Sequence, residues 1–453
     1  MNLYRVLVAG ALAAAMAVVP SSAQAESLAE ALASAYQNNP DIASALLSVK
    51  SSAEDIALRK AGLRPTIGAS IDSTYNWSVT EDGYNDSTNV TGGLSYNQTL
   101  FDNFRTDAEI EQARALADLS EHALRNEEQN VLLSVVESYM NVIRDTQLIE
   151  LRQDNVDFYQ AQANSANDRL EVGEGTRIEV SQSQARLAQG RAAYQAAVSS
   201  LATSRASYQR WVGSPPQNLS IAHEFDNLIP GSLDAAIASA EERHPAILSA
   251  RAAIRAAEAG SDAAEAAFGP TLDMIGSLCA IGCFGSTPNP PNGVSGSVRF
   301  SLSIPIYAGG ALGASVRKAN IQQVKSEVDA MSSYDQVRQA VISSWSALQN
   351  ATAQITSARA AVSAGEEVVS GVIQERDLGQ STTLDVLDAQ AELTSARELL
   401  IEARTSQVIA TFTLIAAMGR LSPVDLALPV TVDTGEGYVA KVEDVWLELR
   451  SID

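Results

Sequence analysis

Histidine, aromatic side chains and positive charge are scarce in this chain, and each scarcity removes a class of function. The three histidines, His122, His223 and His244, stand far apart in 453 residues and have no metal-ligand spacing. Lys and Arg number 31 against 54 Asp and Glu, a net charge of −23, which argues against nucleic acid as a partner because phosphate binding needs clustered cations. Aromatics make up 5% of the chain, while Ala, Ser and Gln abound; long, closely packed helices fit that composition better than one thick core. Proline is missing from residues 104–171 and again from 311–377. No Gly-rich phosphate loop or nucleophile elbow occurs, so the chain does not read as an enzyme and calls for no cofactor or metal. Beyond the N-terminus no stretch looks long and apolar enough for a transmembrane helix, which leaves a β-barrel as the route across a membrane.

The N-terminal run is an export signal. Arg5 precedes an apolar stretch from Val6 to Val19, and Ala23-Gln24-Ala25 is a small-residue cleavage site, so residues 1–25 are expected to be removed. Cys279 and Cys283 are the only cysteines. Export makes a local disulfide plausible. In a straight strand residues four apart lie about 13 Å from each other, so a bridge would require a loop there.

What the chain has is a duplication. Val172-Gly173-Glu174-Gly175-Thr176 and Leu378-Gly379-Gln380-Ser381-Thr382 each interrupt a long helical pattern, with the two Gly residues 206 positions apart. Gly suits a helix C-terminus with positive φ, and the Thr that follows can cap the next helix. The openings match as well. Ser27 to Pro40 returns as Ser232 to Pro245, each a capped helix broken by a proline. The first copy spans 26–231 with its tip at 172–177, the second 232–420 with its tip at 378–383, and 421–453 follows as part of a belt.

Between the opening helices and the long ones the period changes to two. Strand pairs are expected at 66–80/88–101 and 271–284/294–307. One face carries Ile67, Ile71, Tyr75, Trp77 and Leu94; the other carries Ser70, Asp72, Thr74 and Arg299. That pattern suits a barrel strand, apolar outward and polar inward, with Tyr75, Trp77, Tyr84, Tyr96, Phe101 and Tyr307 as interfacial girdles. Four strands cannot close a barrel, since about eight is the minimum, so several chains would share one.

The outgoing helices, about 104–171 and 311–377, would each be about 100 Å long. Val135, Val142, Ile149 and Val156 recur at the seven-residue step of a coiled coil, as do Val180, Leu187, Tyr194, Leu201 and Tyr208. Val386, Leu393, Leu400 and Leu414 repeat that second series in the other copy. The return helices are half as long as the outgoing ones. Each therefore shares its row with an opening helix, one near the barrel and one near the tip. The breaks between them fall midway up, where Leu428–Val432 reads as a short strand and Val442–Ile452 as a short helix.

This order of elements resembles the TolC-like outer-membrane factors. The likeness rests on Asn39-Pro40 and His244-Pro245, Leu100-Phe101-Asp102 and Pro305-Ile306-Tyr307, Val172-Gly173, and Gly379 with Leu384-Asp385-Val386-Leu387-Asp388-Ala389. The resemblance implies a mainly α protein with a membrane β-barrel, a homotrimer whose twelve-stranded barrel sits in outer-membrane lipid above a helical periplasmic tunnel. It implies an exit duct for a tripartite efflux pump or a type I secretion system, opened by an inner-membrane transporter and a periplasmic adaptor (membrane fusion protein). It also implies entrance rings at Asp385 and Asp388, with Glu179 the equivalent in the first copy. Carboxylate rings favour cations. Val172, Gly173, Glu174, Leu378, Gly379 and Gln380 match adaptor-docking tips. The sequence departs from the family where Ser381 replaces an Arg that locks the closed state and Arg376 replaces a Tyr. Two readings of Arg376 stand: a substitute lock paired with Glu179, or a solvated helix-end cation favoured by the macrodipole. A soluble periplasmic coiled-coil adaptor is the alternative function; it would lack amphipathic strand pairs.

Overall fold

In a computed structural model the described residues are 26–81, 83–221, 225–285, 293–443 and 445. The expected export signal and the C-terminal part of the expected 442–452 helix lie outside them. Each copy opens with a capped, proline-broken helix pair. Ser27 and Glu30 form a reciprocal capping box at the start of α1 (Leu28–Asn38), and the Asn39 side chain caps α2 (Pro40–Lys60). In the second copy Ser232 caps α5 (Leu233–Arg243), and His244 Nδ1 accepts from the Ala246 N–H at the start of α6 (Pro245–Ala266). Proline at the first helical position costs no hydrogen bond, because that N–H has no partner in a helix anyway.

Strands follow each pair: β1 (Thr66–Thr80), β2 (Gly83–Phe101), β3 (Thr271–Gly285) and β4 (Gly293–Ser303), antiparallel in the order β1-β2-β3-β4. The register sets Ile67 beside Tyr96, Tyr96 beside Gly276 and Gly276 beside Val298, so one face gathers Ile71, Trp77, Leu94, Leu278 and Phe300. That face is bare: Ile71 is 83% and Val298 70% exposed. The opposite face carries Ser70, Asp72, Ser95, Ser277 and Arg299.

Strand ends differ from expectation in two places. β2 begins at Gly83, with Thr80 paired to Gly83, instead of at the expected 88. Gly83 takes φ 123°, which lets the chain reverse at once. Pairing then runs through polar Asn85 and Asp86, opposite Ser78 and Trp77, since ladder hydrogen bonds come from the backbone whatever the side chains. β4 stops at Ser303 short of 307, where Pro305 has no N–H to give a ladder. β3 runs unbroken through both cysteines and Cys279 is a free thiol, so the loop that a bridge would need is not formed.

The long helices are α3 (Arg105–Glu171) and α7 (Ala311–Asp377), 67 residues each, returned by α4 (Arg177–Val212) and α8 (Thr383–Ala417). The seven-residue series face inward, with Val135, Val142, Val180, Leu187, Leu201, Tyr208, Val386, Leu393 and Leu414 all buried. Contacts between α3 and α2, α4, α6 and α8, and between α7 and α5, α6 and α8, give two split rows flanking two continuous helices. At the split, Asn39 Nδ2 donates to the Trp211 carbonyl (3.2 Å) and Ser34 Oγ to that of Val212 (3.3 Å). In the second copy Gly419, at φ 71°, lies so close to His244 that a Cβ would come within 2.6 Å of its Cα.

The main core fills this waist, with Leu32, Leu132, Tyr139, Tyr208, Val341, Phe412 and Met418 packed together. One local expectation is corrected here: Leu428–Val432 is not a strand, having no partner strand beside it. A short helix, α9 (Glu436–Val442), ends where the expected 442–452 helix begins, and most of that segment lies outside the described residues. A second correction concerns α8, which is long and apolar enough by composition to cross a membrane, although the sequence suggested no such helix. Its apolar residues Val386, Leu387, Phe412, Leu414 and Ile415 are buried against other helices instead.

Candidate functional site at the helix tips

The two tips are built alike. Gly173 (φ 81°) and Gly379 (φ 76°) turn the chain left-handed. The next N–H closes each turn, Glu174 onto the Arg169 carbonyl and Gln380 onto that of Glu375, both at 2.8 Å. Thr176 caps α4 and Thr382 caps α8, each in a reciprocal box with the acid three residues on. Those acids are Glu179 and Asp385. Glu179 accepts from the Thr176 N–H at 3.2 Å, and Asp385 accepts from the Thr382 N–H at 2.8 Å and its hydroxyl at 2.6 Å. The Thr382 bonds hold the Asp385 carboxyl below the usual carboxylate range.

Asp388 stands one turn further along α8 and is bonded differently. Arg186 of α4 reaches it at 2.5 Å, so the ion pair ties the first copy's return helix to the second's. Arg376 donates to Gln162 of α3 at 2.6 Å and to Asp377 beside it at 2.7 Å. Within the chain it does not meet Glu179, whose carboxylate serves the α4 cap. The Arg376 side chain is only 12% exposed, unlike a freely solvated helix-end cation. Ser381, where the family pattern has Arg, donates to Glu375 at 2.9 Å and so stays within its own turn. Val172 and Leu378 point outward at the very tips, 72% and 75% exposed.

Just above lies a buried polar layer that sequence reasoning missed. Thr394 Oγ1 donates to Asn155 Oδ1 at 3.2 Å, and Gln390 Nε2 lies 3.5 Å from the same oxygen. Burial pushes the nearby Tyr159 hydroxyl up, against the pull of its bond to Asn155. The available signal was the four-residue step from Gln390 to Thr394 beside the Leu393 stripe. Arg152 also bonds Glu398, at 2.5 Å. Charges and amides thus link α3 and α4 to α7 and α8 at several levels near the tips.

The whole chain has relatives among known proteins. The sequence profile of the family described as outer membrane efflux protein matches residues 31–214 and again 236–420, one match per copy. The chain is 36% identical over 435 residues to the outer membrane efflux protein BepC of Brucella suis biovar 1, covering 95% of this chain and 94% of that one. It is 24% identical to the outer membrane protein TolC of Escherichia coli K12, over 93% and 88% of the two chains. Among solved structures, the Campylobacter jejuni CmeC outer membrane channel superposes with a TM-score of 0.78 over 92% of this chain and 89% of that one, at 15% identity.

Proposed function

The chain belongs to the outer membrane efflux protein family and is an outer-membrane exit duct; from that premise we propose that it works as a homotrimer gated at its helix tips. The observation that carries the trimer is the open sheet. Its apolar face is bare and its edges, β1 and β4, have no partner strand among the described residues. Edges of that kind cannot lie in hydrocarbon unpaired. Three copies close β4 of one onto β1 of the next and give twelve strands, enough for a barrel with a wet lumen. The helices support the same number of neighbours. Ile321, Val324, Val328 and Met331 form an exposed stripe on the barrel-side part of α7, and α2 exposes Leu47 and Leu58 at the corresponding height. In the trimer each α7 stripe meets the next copy's α2.

At the other end, Asp385 and Asp388 are each triplicated at the entrance, with Glu179 contributing from the first copy. Carboxylates repeated around an axis repel one another and attract cations, so the resting duct passes few ions and prefers cations. Arg186–Asp388 and Arg376–Gln162 hold the tips together in that state. Exposed Val172 and Leu378, with Gly173, Glu174, Gly379 and Gln380, form the apolar-tipped knobs where a periplasmic adaptor docks, and the inner-membrane transporter delivers cargo through it. A water-soluble adaptor role is disfavoured by the bare apolar sheet.

The test is planar-bilayer conductance of the detergent-purified protein beside Asp385→Ala/Asp388→Ala. Wild type is expected to give a small cation-selective conductance. The double variant is expected to conduct several-fold more with weaker cation preference. Equal conductance and selectivity in the two proteins would remove the carboxylates from the gate.

A further inference from the structure

Glu26 is bonded through every polar group it has. Its carboxylate accepts from the Tyr208 hydroxyl at 2.7 Å and from the Gln217 N–H at 3.2 Å. Its carbonyl accepts from the Tyr139 hydroxyl at 2.8 Å and from the Ser220 N–H at 3.2 Å. Its own nitrogen donates to the Gln217 carbonyl at 3.4 Å. Tyr139 and Tyr208 are fully buried, with ring centroids 6.2 Å apart. One residue thus fastens the loop after α4 to α3, to α4 and to the head of α1.

The charge at this node is unbalanced. Both donors to the Glu26 carboxylate are neutral, and among the described residues no Lys or Arg pairs with it. Glu30, one turn on, adds a second carboxylate, accepting from the Ser27 N–H at 2.9 Å. A partly buried carboxylate without a cation is costly to hold.

We propose that the missing countercharge is the α-ammonium of Glu26 itself, so that removal of the export signal completes the waist of the duct. The inference rests on reading residues 1–25 as a cleaved signal. Cleavage adds water across the Ala25–Glu26 peptide bond; Ala25 leaves with the new carboxylate and Glu26 keeps the nitrogen, which is protonated below about pH 8. That nitrogen already lies against the Gln217 carbonyl, beside its own carboxylate and one turn from Glu30. As an ammonium it has three donors where the peptide N–H has one. The first turn of α1 repels a cation there, and the two carboxylates offset that repulsion.

The pH response has a definite sign. An ammonium held by carboxylates titrates above its unfolded value, so its stabilisation is complete below about pH 8 and is lost as pH rises through the folded value. Among the described residues the groups facing it are Glu30 from α1, Tyr139 from α3 and Tyr208 from α4, while 213–221 carry no titratable side chain. Burial pushes Tyr139 up to about 12, and burial with the Glu26 bond pushes Tyr208 up as well, so neither ionises near neutral pH.

The experiment uses the full-length chain, exported and purified from outer membranes. Intact mass first establishes where the processed chain begins. Melting temperature is then measured from pH 6 to pH 10 for the wild type, for a Gly-Ser-Gly insertion after Ala25 that moves the ammonium away, and for Glu26→Gln with and without that insertion. A start at Glu26, a drop of several degrees on insertion, and almost no further drop when it is added to Glu26→Gln would support the proposal. The wild type alone should lose stability above about pH 8. Equal drops in both backgrounds, or none, would overturn it although the signal reading survives. A processed chain starting elsewhere would overturn both.

Discussion

Glu128 shows how single residues set the conditions under which this duct holds together. It is buried on α3 and accepts from the Tyr36 hydroxyl at 2.9 Å. Burial raises its carboxyl above the usual range, outweighing that hydrogen bond and the charge of Arg125. The folded protein therefore holds a proton that the unfolded chain releases, and stability falls as pH rises from about 4.3 through the folded value. Glu128→Gln keeps an oxygen for Tyr36 and removes the titration. Its melting temperature should match wild type near pH 4 and exceed it increasingly toward pH 7. A constant difference across that range would show that Glu128 ionises as freely folded as unfolded. At the tips, single residues were legible by kind and not by partner. The repeated turn pattern gave Gly173, Gly379, Thr176 and Thr382 their jobs. It did not give Arg186 to Asp388 or Gln162 to Arg376, because those pairs join residues 202 and 214 positions apart.

The elements follow from local chemistry to within a few residues. Capping boxes start α1, α4 and α8, glycine ends α3 and α7, and absence of proline lets the long helices run. Errors came where local signals were weak. The 428–432 segment has strand-forming residues but no neighbouring strand, and β-propensity without a pairing edge makes no strand. The α3–α8 seam depends on one polar layer inside an apolar stripe. Asn155→Leu would leave Thr394 and Gln390 without their shared acceptor, costing about 1–3 kcal/mol. Hydrogen exchange of the α8 amides around Gln390 should then quicken about 5- to 160-fold, with little change near Phe412 at the waist. Uniform quickening along α8 would mean that the seam opens as one unit.

For the whole molecule, what remains exposed is as informative as what is buried. A chain that buries Val341, Phe412 and Leu414 completely while leaving Val328 and Met331 bare on α7 fits one wall of the proposed trimer. Val328→Asp with Met331→Glu should prevent the trimer in detergent, leaving monomers with normal helix content by circular dichroism. Survival of the trimer would place the subunit contact elsewhere. The sequence by itself determined the duplication, the helix lengths, the alternation of the strands and the family, because each is a repeating local preference summed over many residues. Only the tertiary structure decided that Arg376 bonds Gln162, that Asp388 bonds Arg186, that Asn155 shares one oxygen with the second copy, and that Glu26 closes the waist. Those contacts depend on which faces of 67-residue helices meet, and an angular error of a few degrees per turn accumulates along such a helix until the sequence period no longer names the partner.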